Sequence, residues 1–544
     1  MIRKITRPVH WSGVGIFTLV IGFTLTVSNH TSAALIENMT IANPKATALG
    51  NAVTADPPGI DSIHYNPAGL ARVKGREGLF KLALVSFTFG AEFGDYDPVA
   101  QTEIDKWGLD ETDSVVNSAS ETSTPIIKVP FVDGRTEWPL PVVIVPTGGA
   151  AYRPSGKNYT VGTAAFVPFA AGYVREEEDD PARFMGTELA MTRLTYFSPT
   201  IGFQFNDEWS FGVGIHFSYN GLSAQTDLRL ALLPLGVINT ALEQIGEGSD
   251  CLGGAFELCG HSLSPFEEAI ELDVDVETAL SVSAVFGALW QPTSWFTWGF
   301  VYQTEADNKM KGSYRLTYSD DWQALWGSFH NELAPIPAYL GFPKGVAEQT
   351  GEATVDLKHP AHFSTGVSVQ VTPRWKINLD AKWTDWDVWE GFRVEFDAPF
   401  ELGSLAGKIV PHYASTTSLV IPRNYESVWN VAMGVEYQYN DRLVLRAGWE
   451  PRKSSVPDDK LDVLLPMGEA DLYGVGLGYE FLKNMHVELA LAYFISKNDI
   501  PAGSSTNAND LNPATSAWYN PYTGIDIKTE TSAIMFESSF TWQF

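Results

Sequence analysis

The feature that most restricts this chain is a two-residue alternation of bulky apolar with small or polar side chains, recurring in segments of about ten residues. From Val428 to Asn440, one face carries Trp429, Val431, Met433, Val435, Tyr437 and Tyr439, and the other Asn430, Ala432, Gly434, Glu436, Gln438 and Asn440. The same order returns where Trp209, Phe211, Val213, Ile215, Phe217 and Tyr219 alternate with Ser210, Gly212, Gly214, His216 and Ser218. Successive side chains of a strand point to opposite faces, so each segment has one greasy and one wet face. A sandwich strand would turn its bulky face into a core. Here that face ends in aromatics and opposes glycine and polar groups, which suits a strand with hydrocarbon outside and an enclosed interior.

The connections sharpen this reading. Short turns fall at Pro154 to Asn158, Asn206 to Glu208, Gln291 to Ser294, Thr372 to Arg374, Asn440 to Asp441 and Leu482 to Asn484. Long connections fall at 91–140, 171–192, 220–271, 307–358, 389–427, 451–470 and 497–531. Short turns at one end and long loops at the other predict an all-β transmembrane antiparallel barrel of about fourteen strands, with both termini in the periplasm. The final strand sets Ile534, Phe536, Ser538, Phe540, Trp542 and Phe544 on one face, an ending resembling the one that barrel-assembly machinery reads.

Residues 1–34 have the parts of an export signal: Arg3, Lys4 and Arg7, an apolar run from Gly13 to Val27, then Ser32, Ala33 and Ala34. The apolar run is shorter than the roughly 20 residues a spanning helix needs. Residues 35–78 do not alternate, and their Pro, Gly and Asn content suits a compact hatch inside the barrel, where irregular backbone is hidden from lipid. Residues 79–544 then form the barrel with its long extracellular loops. Thirty-six Lys and Arg against 65 Asp and Glu, a net charge of -29, exclude a nucleic-acid partner. Cys251 and Cys259, the chain's two cysteines, are expected to form a disulfide in an oxidising compartment, and their surroundings match no zinc pattern.

In this setting the chain resembles the outer-membrane long-chain fatty acid transporter (FadL-like) family. The residues that carry the likeness are Asn66, Pro67, Ala68, Gly69 and Leu70, preceded by Ala48-Leu49-Gly50-Asn51-Ala52, and the segment Phe166-Val167-Pro168-Phe169. Further on come Trp383-Thr384-Asp385-Trp386 and the block from Ala432 to Trp449 followed by Val456-Pro457-Asp458. The resemblance implies a fourteen-stranded barrel closed by an N-terminal hatch, passive uptake of fatty acids or other hydrophobic compounds, and no covalent cofactor.

Candidate sites follow. A helix over 320–340 places Trp322, Leu325, Trp326 and Phe329 at helical spacing, and 228–245 carries a similar apolar run. These two form either a capture groove for greasy solutes or a loop core. Pro168 lacks a ladder donor and favours a bulge. With Phe166 and Phe169 it is the candidate lateral gate, the resemblance implying an inward kink in this region. Arg72, Arg442, Arg446 and His486 are candidates to pair a fatty carboxylate, the alternative being a polar lumen network with Glu436, Glu480 or Glu488. Exit passes either the hatch or the wall. No G-x-S-x-G or other compact catalytic motif supports an outer-membrane lipid hydrolase, so no enzyme activity is expected. A structural or adhesive barrel is the other rival. The expected partners are hydrophobic small molecules, outer-membrane lipid with lipopolysaccharide, and the assembly machinery, for a monomer.

Overall fold

The computed structural model describes residues 41–107, 113–130, 136–137, 140–230, 257–258, 261–332, 339, 341–409, 414–466, 468–511 and 519–544. The expected export signal, the Cys251–Cys259 pair and most of the 228–245 run lie outside these residues.

Fourteen antiparallel strands close into a ring. They are β1 (Arg76–Tyr96), β2 (Val143–Tyr152), β3 (Tyr159–Val174), β4 (Glu188–Phe197, then Thr200–Gln204), β5 (Trp209–Leu228), β6 (Ile270–Thr293) and β7 (Phe296–Gln303, then Lys309–Tyr318). They continue as β8 (Glu348–Asp356, then His362–Gln370), β9 (Trp375–Thr384, then Gly391–Phe396), β10 (Ser418–Pro422, then Val428–Asn440) and β11 (Leu443–Arg452). The last three are β12 (Ala470–Leu482), β13 (Met485–Ile500) and β14 (Ile525–Gln543). β14 pairs with β1 from Glu77↔Gln543 to Tyr96↔Ile525, so the ring has no free end. The six expected short turns all join neighbouring strands.

Burial follows the alternation. Trp429, Val431 and Met433 on β10 are exposed on the outer face, while Asn430, Ala432 and Glu436 are buried inside. The long connections hold more strand than expected, 220–228, for one, continuing β5 and pairing with β6. Residues 307–358 and 389–427 were read as loops, yet they hold Lys309–Tyr318, Glu348–Asp356, Gly391–Phe396 and Ser418–Pro422, paired strand to strand. These segments carry the wall beyond the bilayer. Their outward positions are charged, as with Lys311, Glu352 and Glu395, so no lipid-facing stripe marks them in the sequence. Their inward positions, including Met310, Tyr314, Leu316, Val355 and Val394, form an apolar extracellular core.

Residues 41–75 lie within the ring as short turns: helix Pro44–Ala48, helix Ser62–Tyr65 and the tighter turn Pro67–Arg72. The wall accommodates them through inward glycines. A Cβ on Gly448 would overlap the backbone of Leu49, and one on Gly212 the backbone of Pro67. Polar bonds then fix the segment: Asn51 to Glu450 at 2.9 Å, the Thr54 amide to Asp380 at 2.8 Å, Lys81 to Asp61 at 2.9 Å and Lys376 to Asp56 at 2.7 Å.

Candidate functional site

Above the N-terminal segment, at the level where the wall leaves the bilayer, is a cavity of about 530 Å³. Its wall comes from the inward faces of β4, β5, β6, β9 and β10, with Met191, Leu222, Val274, Val394 and Ile421 among its lining. Phe184, from the turn Arg183–Met185, and Tyr519 complete it. Volume and apolar character suit a small-molecule site. Tyr519 donates to the Phe184 carbonyl at 2.6 Å, and burial pushes its phenol upward, so it stays neutral. Among the described residues, the charged groups at this cavity are Arg423, Asp462, Lys460 and Asp459. Arg423 is bonded to Asp462, and Lys460 to Asp459 at 2.9 Å. Burial opposes the Arg423 charge, but the Asp462 carboxylate outweighs it and raises the guanidinium above its ordinary value.

A second, narrow apolar cavity of about 60 Å³ lies in the wall itself. β2 pairs with β3 only from Gly148↔Ala165 to Tyr152↔Val161. Among the described residues no ladder joins Val143–Thr147 to Phe166–Val174, so the wall splits above Gly148. The split is bounded above where Ala119–Thr122 pairs with β1 and Val174 donates to the Thr124 carbonyl at 3.1 Å. Its lining runs from inward Val85, Phe87 and Met535, past Val143 and Ala170, to Ile126 and Ile127. Pro168 falls where the β3–β4 register shifts between Phe166 and Phe169, the expected bulge. Phe166 is buried against His64 and His216, ring centroids 4.9 and 5.3 Å away. A third cavity, about 40 Å³, shares Met191 with the large cavity and Thr192 with the split.

The remaining expected residues fall elsewhere. Trp322, Leu325 and Trp326 are buried in the extracellular core, not on an open groove, and Phe329 is half-buried against them. Trp322 stacks on Tyr318 at 5.4 Å and donates from Nε1 to Glu401 at 3.0 Å. Arg446 bonds Glu436 at 2.7 Å and Glu488 at 2.9 Å, and Arg72 lies 3.6 Å from Asp56. Arg442 and His486 line a polar recess of about 360 Å³ by the short turns, which none of the large cavity's residues share. None of these four residues lines the large cavity, because each sits at the short-turn end and the cavity at the loop end. Asn66 donates to the Thr54 carbonyl at 2.8 Å, holding Pro67 against Gly212 and Gly287, with Ala68, Gly69 and Leu70 buried behind. The cavity lining was missed because its residues come from many strands. The signal available was the switch of β5 and β6 from polar to apolar inward positions, Ser218 to Leu222 and Ser281 to Val274.

The geometry has known counterparts. A Pseudomonas aeruginosa FadL homologue superposes with a TM-score of 0.65 at 19% identity, over 95% of this chain and 100% of that one. A Pseudomonas putida toluene transporter, TodX, gives 0.56 at 14%, over 94% and 100%. The CymD monoaromatic hydrocarbon channel gives 0.54 at 15%, over 94% and 99%. No curated protein sequence matches significantly. The family model described as outer membrane protein transport protein (OMPP1/FadL/TodX) matches residues 23–544. The chain therefore belongs to this family of outer-membrane transport channels, which are not enzymes, and its closed fourteen-stranded barrel has the fold of a hydrophobic-compound channel.

Proposed function

We propose that this barrel carries hydrophobic compounds passively across the outer membrane: entry from the loop end, residence in the 530 Å³ cavity, and release through the split wall into the bilayer. The observation that carries this is the closeness of an apolar cavity to an apolar break in the β2–β3 ladder, with a third cavity sharing a residue with each. A greasy solute needs no help within hydrocarbon and meets its barrier in the polar layer outside it. An apolar cavity above the bilayer, opening sideways, spans that barrier. The small cavity sharing Met191 and Thr192 supplies the intermediate station.

Residues 41–75 act as the hatch. Release past them would break two ion pairs to the wall, Lys81–Asp61 and Lys376–Asp56, of which the first is fully buried and expensive to leave half-made, which favours the sideways route. The toluene and monoaromatic hydrocarbon specificities named for the structural counterparts fit a ligand that needs no countercharge. The same reading assigns the last strand to the assembly machinery, the loops to lipopolysaccharide, and the working form to a monomer.

The test is Ala170→Trp, which fills the split from a position lining it. Uptake of a labelled hydrocarbon by cells should fall roughly tenfold or more, while cavity binding by the purified barrel stays within about twofold. Unchanged uptake by a well-folded variant rejects release through the wall.

A further inference from the structure

We infer that the width of molecule this barrel releases is set not by the large cavity but by the strap from Thr124 to Lys128, with Ile126 and Ile127 as the selecting side chains. The inference rests on release through the wall and names what limits it.

The three cavities differ too much in size for the large one to be the limit. The 530 Å³ space is linked by shared lining residues through one of about 40 Å³ to the split, which holds about 60 Å³. A single benzene ring occupies an apolar protein cavity of roughly 150 Å³. A solute that fits the large cavity therefore leaves only if the split widens. Two of its boundaries are fixed by ladders, β2 with β3 from Gly148 to Tyr152 below and Ala119–Thr122 with β1 above. The boundary left to move is the strap.

The strap lies on the outer face of the wall. Tyr173 is buried in the core within the ring, so its neighbour Gly172 faces outward, and a Cβ there would overlap the Ile126 carbonyl. Gly172, Ala190, Ser223 and Asp275 are cross-strand partners in one row over β3, β4, β5 and β6. The strap follows this row, from Ile126 over Gly172 to Lys128, 2.7 Å from Asp275. Ala190 and Ser223 point away from the lumen and are nevertheless fully buried, because their small side chains form the furrow it occupies. Outward Ala170, Gly172 and Thr192 line the split together with Ile126 and Ile127, which makes the two isoleucines its outer lip.

This lip can move without disturbing the ring. Among the described residues, Ile126–Ile127 pairs with Thr136–Glu137 and with no barrel strand. The strap is held to the wall at its ends, where the Thr124 carbonyl accepts from the Val174 amide at 3.1 Å and Lys128 sits between Asp275 and Glu277. Swinging it outward breaks those contacts and no barrel ladder.

Uptake of labelled toluene and of labelled phenanthrene by cells producing the barrel, each corrected for barrel-less cells, tests this. Ile126→Ala with Ile127→Ala trims the lip and keeps both anchors. The phenanthrene-to-toluene ratio of initial rates should rise roughly tenfold or more, while the affinity of the purified barrel for either solute stays within about twofold. If that variant does not assemble, Lys128→Met, which frees the strap with both isoleucines in place, should move the ratio in the same direction. An unchanged ratio in the assembled variant, whether both rates hold or both rise together, overturns the inference and leaves release through the wall standing. So does a change in ratio matched by an equal change in affinity. A wild-type barrel that passes neither solute, or whose uptake Ala170→Trp does not slow, overturns the release route and this inference with it.

Discussion

Gly448 shows how a residue type can be legible while its reason is not. The alternation in β11 puts it on the inward face, and a small residue there fits any lumen. What the structure adds is the backbone of Leu49 packed against it, so close that a side chain has no room. Leu49 and Gly448 are far apart in sequence, and nothing local connects them. The same holds for the buried ion pairs: Arg423 with Asp462, or Lys382 with Glu450, are matched only after the ring closes. The lumen network of Arg446 with Glu436 and Glu488 was legible from neighbouring strands of one face, whereas these longer-range pairs were not. Gly448→Val should leave assembly into a heat-modifiable barrel intact but unseat the N-terminal segment, since overpacking costs about 1–3 kcal/mol and a short irregular segment yields more easily than a ladder. Entry of bulky hydrophilic antibiotics into cells producing the variant measures this. Wild-type resistance would mean that the segment tolerates the side chain.

Among elements, the fourteen strands were legible because each repeats one simple rule for ten residues or so, whereas the strap across the wall split was not. Pro168 announced a bulge in β3 from its missing donor alone, and the register shift occurs there. Ile126–Ile127 has no periodicity to detect, being two residues long. Its role follows from its anchors: Val174 bound to Thr124 on one side, and Lys128, nearly fully buried, 2.7 Å from Asp275 of β6 on the other. Between these anchors the two isoleucines lie over the outer mouth of the split. Lys128→Met removes one anchor without shortening the strap. Amides of Ile126 and Ile127 should then exchange with solvent roughly tenfold faster, and initial uptake rate should rise in step, because a buried cation's pairing is what holds the segment down. Faster exchange with unaltered uptake would make the strap a passive cover.

At the scale of the whole molecule, two apolar surfaces with different solvents are stacked along one wall. The lower surface faces outward to lipid and was readable in the strands. The upper one faces inward, around Trp322, and its helix showed the right spacing but not which way the apolar face turns, because capture groove and loop core demand the same pattern. The two should respond independently to mutation. Leu491 is exposed on the outer face midway along β13, where an arginine costs about 2–4 kcal/mol near the bilayer midplane. Leu491→Arg should thus lower the unfolding midpoint of the refolded barrel in lipid. Trp322→Ala removes a fully buried ring, worth about 3–5 kcal/mol, from a core that lies beyond the lipid-facing part of the ladder. The unfolding midpoint should stay, but ligand affinity should drop, because Leu272, Val274, Val355, Val394 and Leu419 belong both to that core and to the cavity wall. Trp322 never lines the cavity, so a loss of binding there reports the rigidity of the wall behind it. An unaltered affinity would show that the cavity holds its shape without the core, and a collapsed barrel that the two layers fold as one.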